Sequence, residues 1–138
     1  MPSIARDSSS RWTVAAERRG PRLAHLADGA RAETLAAEFL VARGLAIVAR
    51  NFRTRRGEID VIARDGAMLV FVEVRLRRSG QFGGAAASIT AAKQARLTSA
   101  AQAYLALLGH EPPCRFDAVL LDRLDPPVIK WERDFLSE

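Results

Sequence analysis

Two carboxylates stand where a sequence of this kind ordinarily places apolar residues. Residues 57–64 read GEIDVIAR and residues 71–76 read FVEVRL, so Asp60 and Glu73 lie inside runs that otherwise suit a buried β-hairpin. Unpartnered carboxylates are costly to bury, so such a pair needs a metal ion, an arginine or a shared proton. Mg2+ is the natural candidate, because it prefers hard oxygen ligands and is often held by one or two carboxylates together with water and substrate phosphate. Arg75, two positions after Glu73, is the nearest cation in sequence. The plainer alternative, two acids at strand ends paired with neighbouring arginines, stays open on pattern alone.

The hairpin has to bring the two acids together. Asp65-Gly66 between two β-rich runs is a strong hairpin signal. A two-residue loop at that dipeptide sets Asp60 opposite Phe71 and Glu58 opposite Glu73. Alternation then gives one face Ile59, Val61, Met68, Val70, Val72 and Val74, and the other Glu58, Asp60, Ile62, Leu69, Phe71, Glu73 and Arg75. Asp60 and Glu73 become diagonal neighbours, with backbones ~7–8 Å apart, close enough to lean onto one cation.

Other elements supply further candidates. Residues 28–44, DGARAETLAAEFLVARG, carry Ala32, Leu35, Ala36, Phe39 and Leu40 at helical spacing, and Gly44 is placed to end the helix. Glu33 projects about 20° from Leu40, at the border of the apolar stripe, so it overhangs the acidic face if this helix covers that face. A long alanine-rich helix is expected from Ser88 to Leu108, with Gly109 as its stop. Its projection puts Lys93 inside the stripe of Ile89, Leu97, Ala100 and Tyr104, from which a lysine either snorkels to the surface or reaches a site at the sheet edge. Strands are expected at LAIVARNFRT, EIDVIAR, MLVFVEVRL, RFDAVLLD and VIKWER. MLVFVEVRL reads as a central strand buried on both faces. The order α-β-β-β-α-β-β gives an α/β sheet with a helix against each face.

Composition narrows the setting. At 138 residues the chain fits one domain over residues 21–138, preceded by a loosely ordered basic tail over residues 1–20. No apolar run approaches the ~18 residues needed to span a bilayer, and the N-terminal stretch lacks the apolar core of a secretory signal. A single cysteine, Cys114, with only His25 and His110, leaves neither a disulfide framework nor a zinc cluster, which suits a reducing, cytoplasmic setting. The net charge of +5 points first to nucleic acid as a partner and second to an anionic membrane surface. Arg50, Arg53, Arg55 and Arg56 form one basic cluster and Arg75, Arg77 and Arg78 another. Either is a phosphate-contacting patch or a solvated charged face.

The stretches GARAETLAAEFLVARGLAIVARNFR, RGEIDVIARDGAMLVFVEVRLR, ITAAKQARLTSAAQAYL, RFDAVLLD and VIKWERDFL together resemble the YraN-like family of uncharacterised bacterial proteins, over roughly residues 22–136. That family is similar to the Holliday-junction resolvases and, more broadly, to the restriction-endonuclease-like PD-(D/E)XK nucleases. The resemblance implies a restriction-endonuclease-like fold, a mixed sheet between helices, and a Mg2+ or Mn2+ site. Its first-helix acid would be Glu33, its aspartate Asp60, and its E-x-K element would begin at Glu73. The activity implied is an endonuclease acting on branched or otherwise structured DNA, and similar junction-cutting enzymes are homodimers. One departure matters: Arg75 stands where the pattern has lysine. Arginine stays protonated and cannot serve as a base, though it can stabilise charge on a phosphate. Lys93 is the candidate to substitute for the missing lysine. The alternative is a protein of the same fold that binds DNA, or another protein, with little or no catalysis.

Overall fold

The apolar stripe of Ala32, Ala36 and Leu40 buries one side of a helix, α1 (Pro21–Ala42), against a five-stranded sheet. The computed structural model describes residues 21–77 and 83–136. The expected tail over residues 1–20, and Arg78, lie outside them. The strands are β1 (Ala46–Arg53), β2 (Glu58–Asp65), β3 (Met68–Leu76), β4 (Cys114–Leu124) and β5 (Pro127–Glu132), in the spatial order β1-β2-β3-β4-β5. Neighbouring strands are antiparallel except β3 and β4, which are parallel. A parallel pair needs a crossover, and the segment with α2 (Ala85–Ser88) and α3 (Ala91–Leu108) supplies it. The sheet is therefore mixed, with the expected element order.

Each face of the sheet carries its own core. Val61, Ala63, Val70, Val72, Val119 and Leu121 pack under α1. Ile59, Ile62, Leu69 and Phe71 pack under α3 through Leu97, Ala100 and Ala101. Leu69, Val70, Phe71 and Val72 are all buried, as a central strand covered on both sides requires. Tyr104 joins the α3 side edge-on to Phe52 and Phe71, with ring centroids 5.3 and 6.1 Å away.

Two expectations need correction. The hairpin turns on Gly66 and Ala67 instead of Asp65-Gly66, so Ile62, not Asp60, lies opposite Phe71. Gly66 carries the positive φ, +63°, at the first central position, where a type II′ turn takes glycine, and Asp65 becomes the last residue of β2. The expected helix from Ser88 to Leu108 is broken: Ile89 and Thr90 are extended, and α3 starts afresh at Ala91. Thr90 causes the restart. Its Oγ1 accepts from the Lys93 N–H at 3.2 Å and caps the new helix. Ile89 is thereby off the helix, while Lys93, on the side of α3 that carries Leu97 and Ala100, is exposed in its first turn.

The strands beyond β3 are locked by charge. Asp117 is fully buried and accepts from Arg115 Nε, Trp131 Nε1 and the N–H of Asp134, at 2.9, 3.0 and 2.9 Å. Arg115 also donates to Asp65 at 3.1 Å, tying β4 to the end of β2. No helix among the described residues is long and apolar enough to cross a membrane.

Candidate active site

Asp60 marks the point where β2 parts from β3. Their ladder runs from Asp65 opposite Met68 to Val61 opposite Val72, and Asp60 and Glu73 stand one step beyond it. There the N–H of Val74 donates to Asp60 Oδ2 at 2.8 Å, so the carboxylate satisfies a backbone donor of β3 past the end of the ladder. Side-chain alternation breaks at the same place. Ile59 packs under α3 and Val61 under α1, although regular alternation puts residues two apart on one face. The one-face grouping of Ile59 with Val61 therefore does not hold. In β1 the matching irregularity is Asn51, whose φ of 56° is a left-handed conformation that asparagine tolerates better than most residues.

A cleft of about 1040 Å³ opens at this end of the sheet, lined among others by Glu33, Asn51, Arg53, Glu58, Arg75 and Lys93. Asp60 and Glu73 are partly buried and feel these charges. Burial raises the Asp60 carboxyl to about 6; the Val74 hydrogen bond opposes this, Glu33 and Glu58 add to it, and Lys93 lowers it. Glu73 is pushed up to about 8, first by burial and then by Asp60, with Lys93 and more weakly Arg75 acting the other way. Glu33 is also raised by burial, against a hydrogen bond from Asn51 and the charges of Arg50 and Arg53. Two acids that hold their protons this firmly are short of positive charge.

That shortage bears on the metal. Among the described residues no group of three or more His, Cys, Asp or Glu side chains converges closely enough to hold an ion by itself. Glu33 faces Asp60 as a neighbouring charge and also pairs with Arg50 at 4.0 Å. Two under-neutralised carboxylates with hard oxygens still fit Mg2+ or Mn2+, which takes much of its coordination from water and phosphate. The residues present suit such an ion through Asp60 and Glu73, with Glu33 close at hand.

The arginines divide. Arg53 is exposed on the cleft rim, 3.3 Å from Glu58. Arg55 and Arg56 are exposed on the tight turn that joins β1 to β2, and Arg50 is exposed beside Thr34, to whose Oγ1 it donates at 3.2 Å. Arg77 has its donors committed within the fold. It is buried, and its fork is spent on Asp122, Nε to Oδ1 at 2.8 Å and the second N–H to Oδ2 at 3.1 Å, with Gly83 O and Ser88 Oγ taking the rest. Its partner lies 45 positions away in the chain, beyond the reach of a charge-run argument. Arg75 lines the cleft, and its buried Nε has no acceptor.

Sequence reasoning missed Asn51 as a partner of Glu33, and it placed Glu58 on the acidic face without a role at the cleft. The signal for Asn51 was present: an asparagine inside an otherwise regular strand is a candidate for a left-handed kink. It also missed why Gly57 precedes the motif. A Cβ there would sit 1.8 Å from the carbonyl oxygen of Arg96.

Relatives retain most of this chain. It is 50% identical over 106 residues to a UPF0102 protein of Methylobacillus flagellatus, covering 77% of this chain and 93% of that relative. It is 53% identical over 112 residues to one from Nitrosomonas europaea, covering 80% and 93%. A third, from Symbiobacterium thermophilum, is 58% identical over 92 residues, covering 66% and 78%. Residues 32–121 match the uncharacterised protein family UPF0102, and that span holds Glu33, Asp60, Glu73, Arg75, Lys93 and the strands that position them. The chain belongs to the UPF0102 family, the YraN-like group that its motifs resemble.

Proposed function

We propose that this protein is a metal-dependent endonuclease acting on DNA, with branched or otherwise structured DNA as its preferred form. The observation that carries the reading is the pair Asp60 and Glu73, short of positive charge beside a cleft with basic groups on its rim. Mg2+ or Mn2+, when bound, supplies a more acidic water and charge stabilisation at the leaving oxygen. Asp60, steadied by the Val74 N–H, and Glu73 hold the ion, and Glu33 adds negative charge from α1. Arg75 reaches the phosphate with forked donors that suit its oxygens. Arg50, Arg53, Arg55 and Arg56 hold the flanking backbone.

A second reading has a specific observation behind it: arginine at 75 favours a DNA-binding protein of this fold that cleaves little or not at all. One assay separates the two. Incubation with branched, duplex and single-stranded DNA and Mg2+ or Mn2+ is expected to give cleavage by the wild type and none by Asp60→Asn. Binding without cleavage supports the second reading. Absence of both overturns the two together, and cleavage that persists in purified Asp60→Asn, with contaminating nuclease excluded, moves the active site elsewhere.

Binding itself is expected to weaken steeply with salt as the arginines displace counterions. Replacing Arg53, Arg55 and Arg56 by alanine should flatten the log–log slope by up to about three units. A slope unchanged in the triple variant removes these residues from the interface.

A further inference from the structure

We propose that Arg43, Phe39, Trp131 and Arg133 form a stacking platform for an unpaired DNA strand, outside the cleft beside Asp60 and Glu73. The inference rests on the nuclease reading in one respect: the strand is an arm of the DNA that the cleft would hold. Phe39, near the end of α1, meets Trp131 of β5 edge-on, with ring centroids 6.2 Å apart. An arginine lies over each ring. The guanidinium carbon of Arg43 is 3.5 Å from the centroid of Phe39, and that of Arg133 is 4.2 Å from the centroid of Trp131. Cation, ring, ring and cation therefore follow one another across the seam between α1 and β5.

The parts are held ready. Trp131 Nε1 donates to the buried Asp117 at 3.0 Å, which fixes the indole. Asp134, left-handed with φ 53°, donates its N–H to the same carboxylate at 2.9 Å and so fixes the backbone next to Arg133. Arg43 donates to Phe39 O at 3.4 Å. Both arginines are exposed, and neither forms an ion pair among the described residues. A staple between α1 and β5 needs the two rings but not two uncompensated charges, because an exposed cation–π pair stabilises little. A guanidinium stacked on a ring keeps its outer face for a base and its edge donors for a phosphate. Such a surface takes single strands of any sequence, since every base has a π-face. An acidic peptide would meet the charges and leave the planes unused. Position narrows the substrate further. Glu33 pairs with Arg50 on the β1 side of α1, whereas the platform lies on the β5 side. Phe39 follows Glu33 by six residues, about 9 Å along the helix. A strand on the platform has therefore parted from the duplex at the cleft, so the favoured DNA is a branch with an unpaired arm.

The chain has two tryptophans, so Trp12→Phe leaves Trp131 as its one indole reporter. In that full-length protein, with EDTA present, oligothymidylate is expected to quench Trp131 emission, and blunt duplex of equal length to quench it far less. Arg43→Ala and Arg133→Ala are each expected to weaken oligothymidylate binding about tenfold at fixed salt. Arg133→Lys keeps the charge without the plane and is expected to recover only part of that loss. Oligothymidylate that does not bind, or binds with Trp131 emission unchanged, overturns the platform. So do unchanged affinity in both alanine variants, full recovery in Arg133→Lys, and equal quenching by an oligoglutamate of the same charge. Cleavage of plain duplex with Mn2+, scored beside these titrations, keeps the two readings apart. Duplex that is cut while Trp131 stays silent overturns the platform alone. Quenching with the expected losses, but no cutting of any DNA, supports the platform and overturns the nuclease.

Discussion

Gly57→Ala is expected to lose about 3 kcal/mol of stability or more, at the upper end of what overpacking costs, and to accumulate poorly as folded protein. The added Cβ meets only backbone: Arg96 O at 1.8 Å, its carbonyl carbon at 2.6 Å and its Cα at 2.9 Å. No rotamer change clears these atoms. The turn cannot yield either, because Thr54 N donates to Gly57 O at 2.8 Å while Thr54 Oγ1 accepts from Gly57 N at 3.1 Å and Arg56 N at 3.2 Å. α3 must therefore lift from the sheet, opening the core of Ile59, Phe71 and Leu97. The contrast is Gly29→Ala within α1, where a Cβ meets nothing within 4 Å and helix propensity adds up to about 1 kcal/mol. Urea unfolding of the two variants measures the difference. A Gly57→Ala midpoint matching wild type would mean that turn and helix are not in contact.

Glu73→Gln should do the reverse, raising metal-free stability near pH 8 by on the order of 3 kcal/mol. The folded-state carboxyl is raised from 4.5 to about 8, so over the range between those values the folded chain binds more protons than the unfolded one. Stability contributed by neutral Glu73 is then complete below about 4.5 and lost as pH rises through about 8. Asp60 adds a smaller loss of the same sign, from 3.8 to about 6. Glutamine has the size of the protonated acid and never ionises, so the advantage of Glu73→Gln grows from nothing near pH 4 to its full value above pH 8. Under the proposed metal site, Mg2+ is expected to reverse the comparison, because a ligand that binds only the folded state stabilises it, and the variant would lack one of the proposed ligands. Unfolding curves for the two proteins that stay parallel from pH 5 to pH 8 would show that Glu73 is not held neutral.

Local chemistry made much of this legible. The period of Ala32, Ala36 and Leu40 gave α1, and the apolar run around Phe71 gave the central strand, because periodicity and burial are properties of short windows. Asp60 and Glu73 stood out because acids are rare in such runs. The hairpin register slipped because both Asp65-Gly66 and Gly66-Ala67 satisfy the turn rules, and the choice between them lies partly in Arg115, fifty positions on, which pairs with Asp65. The helix break at Ile89 and Thr90 was hidden by the alanines around it, which are helix formers whatever the tertiary context. Arg77 looked like its neighbours in a basic run and differs only in having Asp122 within reach. Non-local pairs of this kind leave no trace in spacing.

The seat of Gly57 on α3 has a mechanical consequence. Arg96, whose carbonyl receives the turn, comes three residues after Lys93, about 4.5 Å along the helix axis. The turn that presents Arg55 and Arg56 and the helix that presents Lys93 are therefore one stiff piece, and the chain acts as a jig. Under the proposed function, a phosphate backbone seated on those arginines would arrive at a fixed offset from the lysine, and changing that offset requires prying turn from helix. A DNA whose phosphates could not span the offset would be held without being brought into line. Holding and lining up would then be separate demands on the substrate, with the distance between them set by the seat of Gly57 on α3.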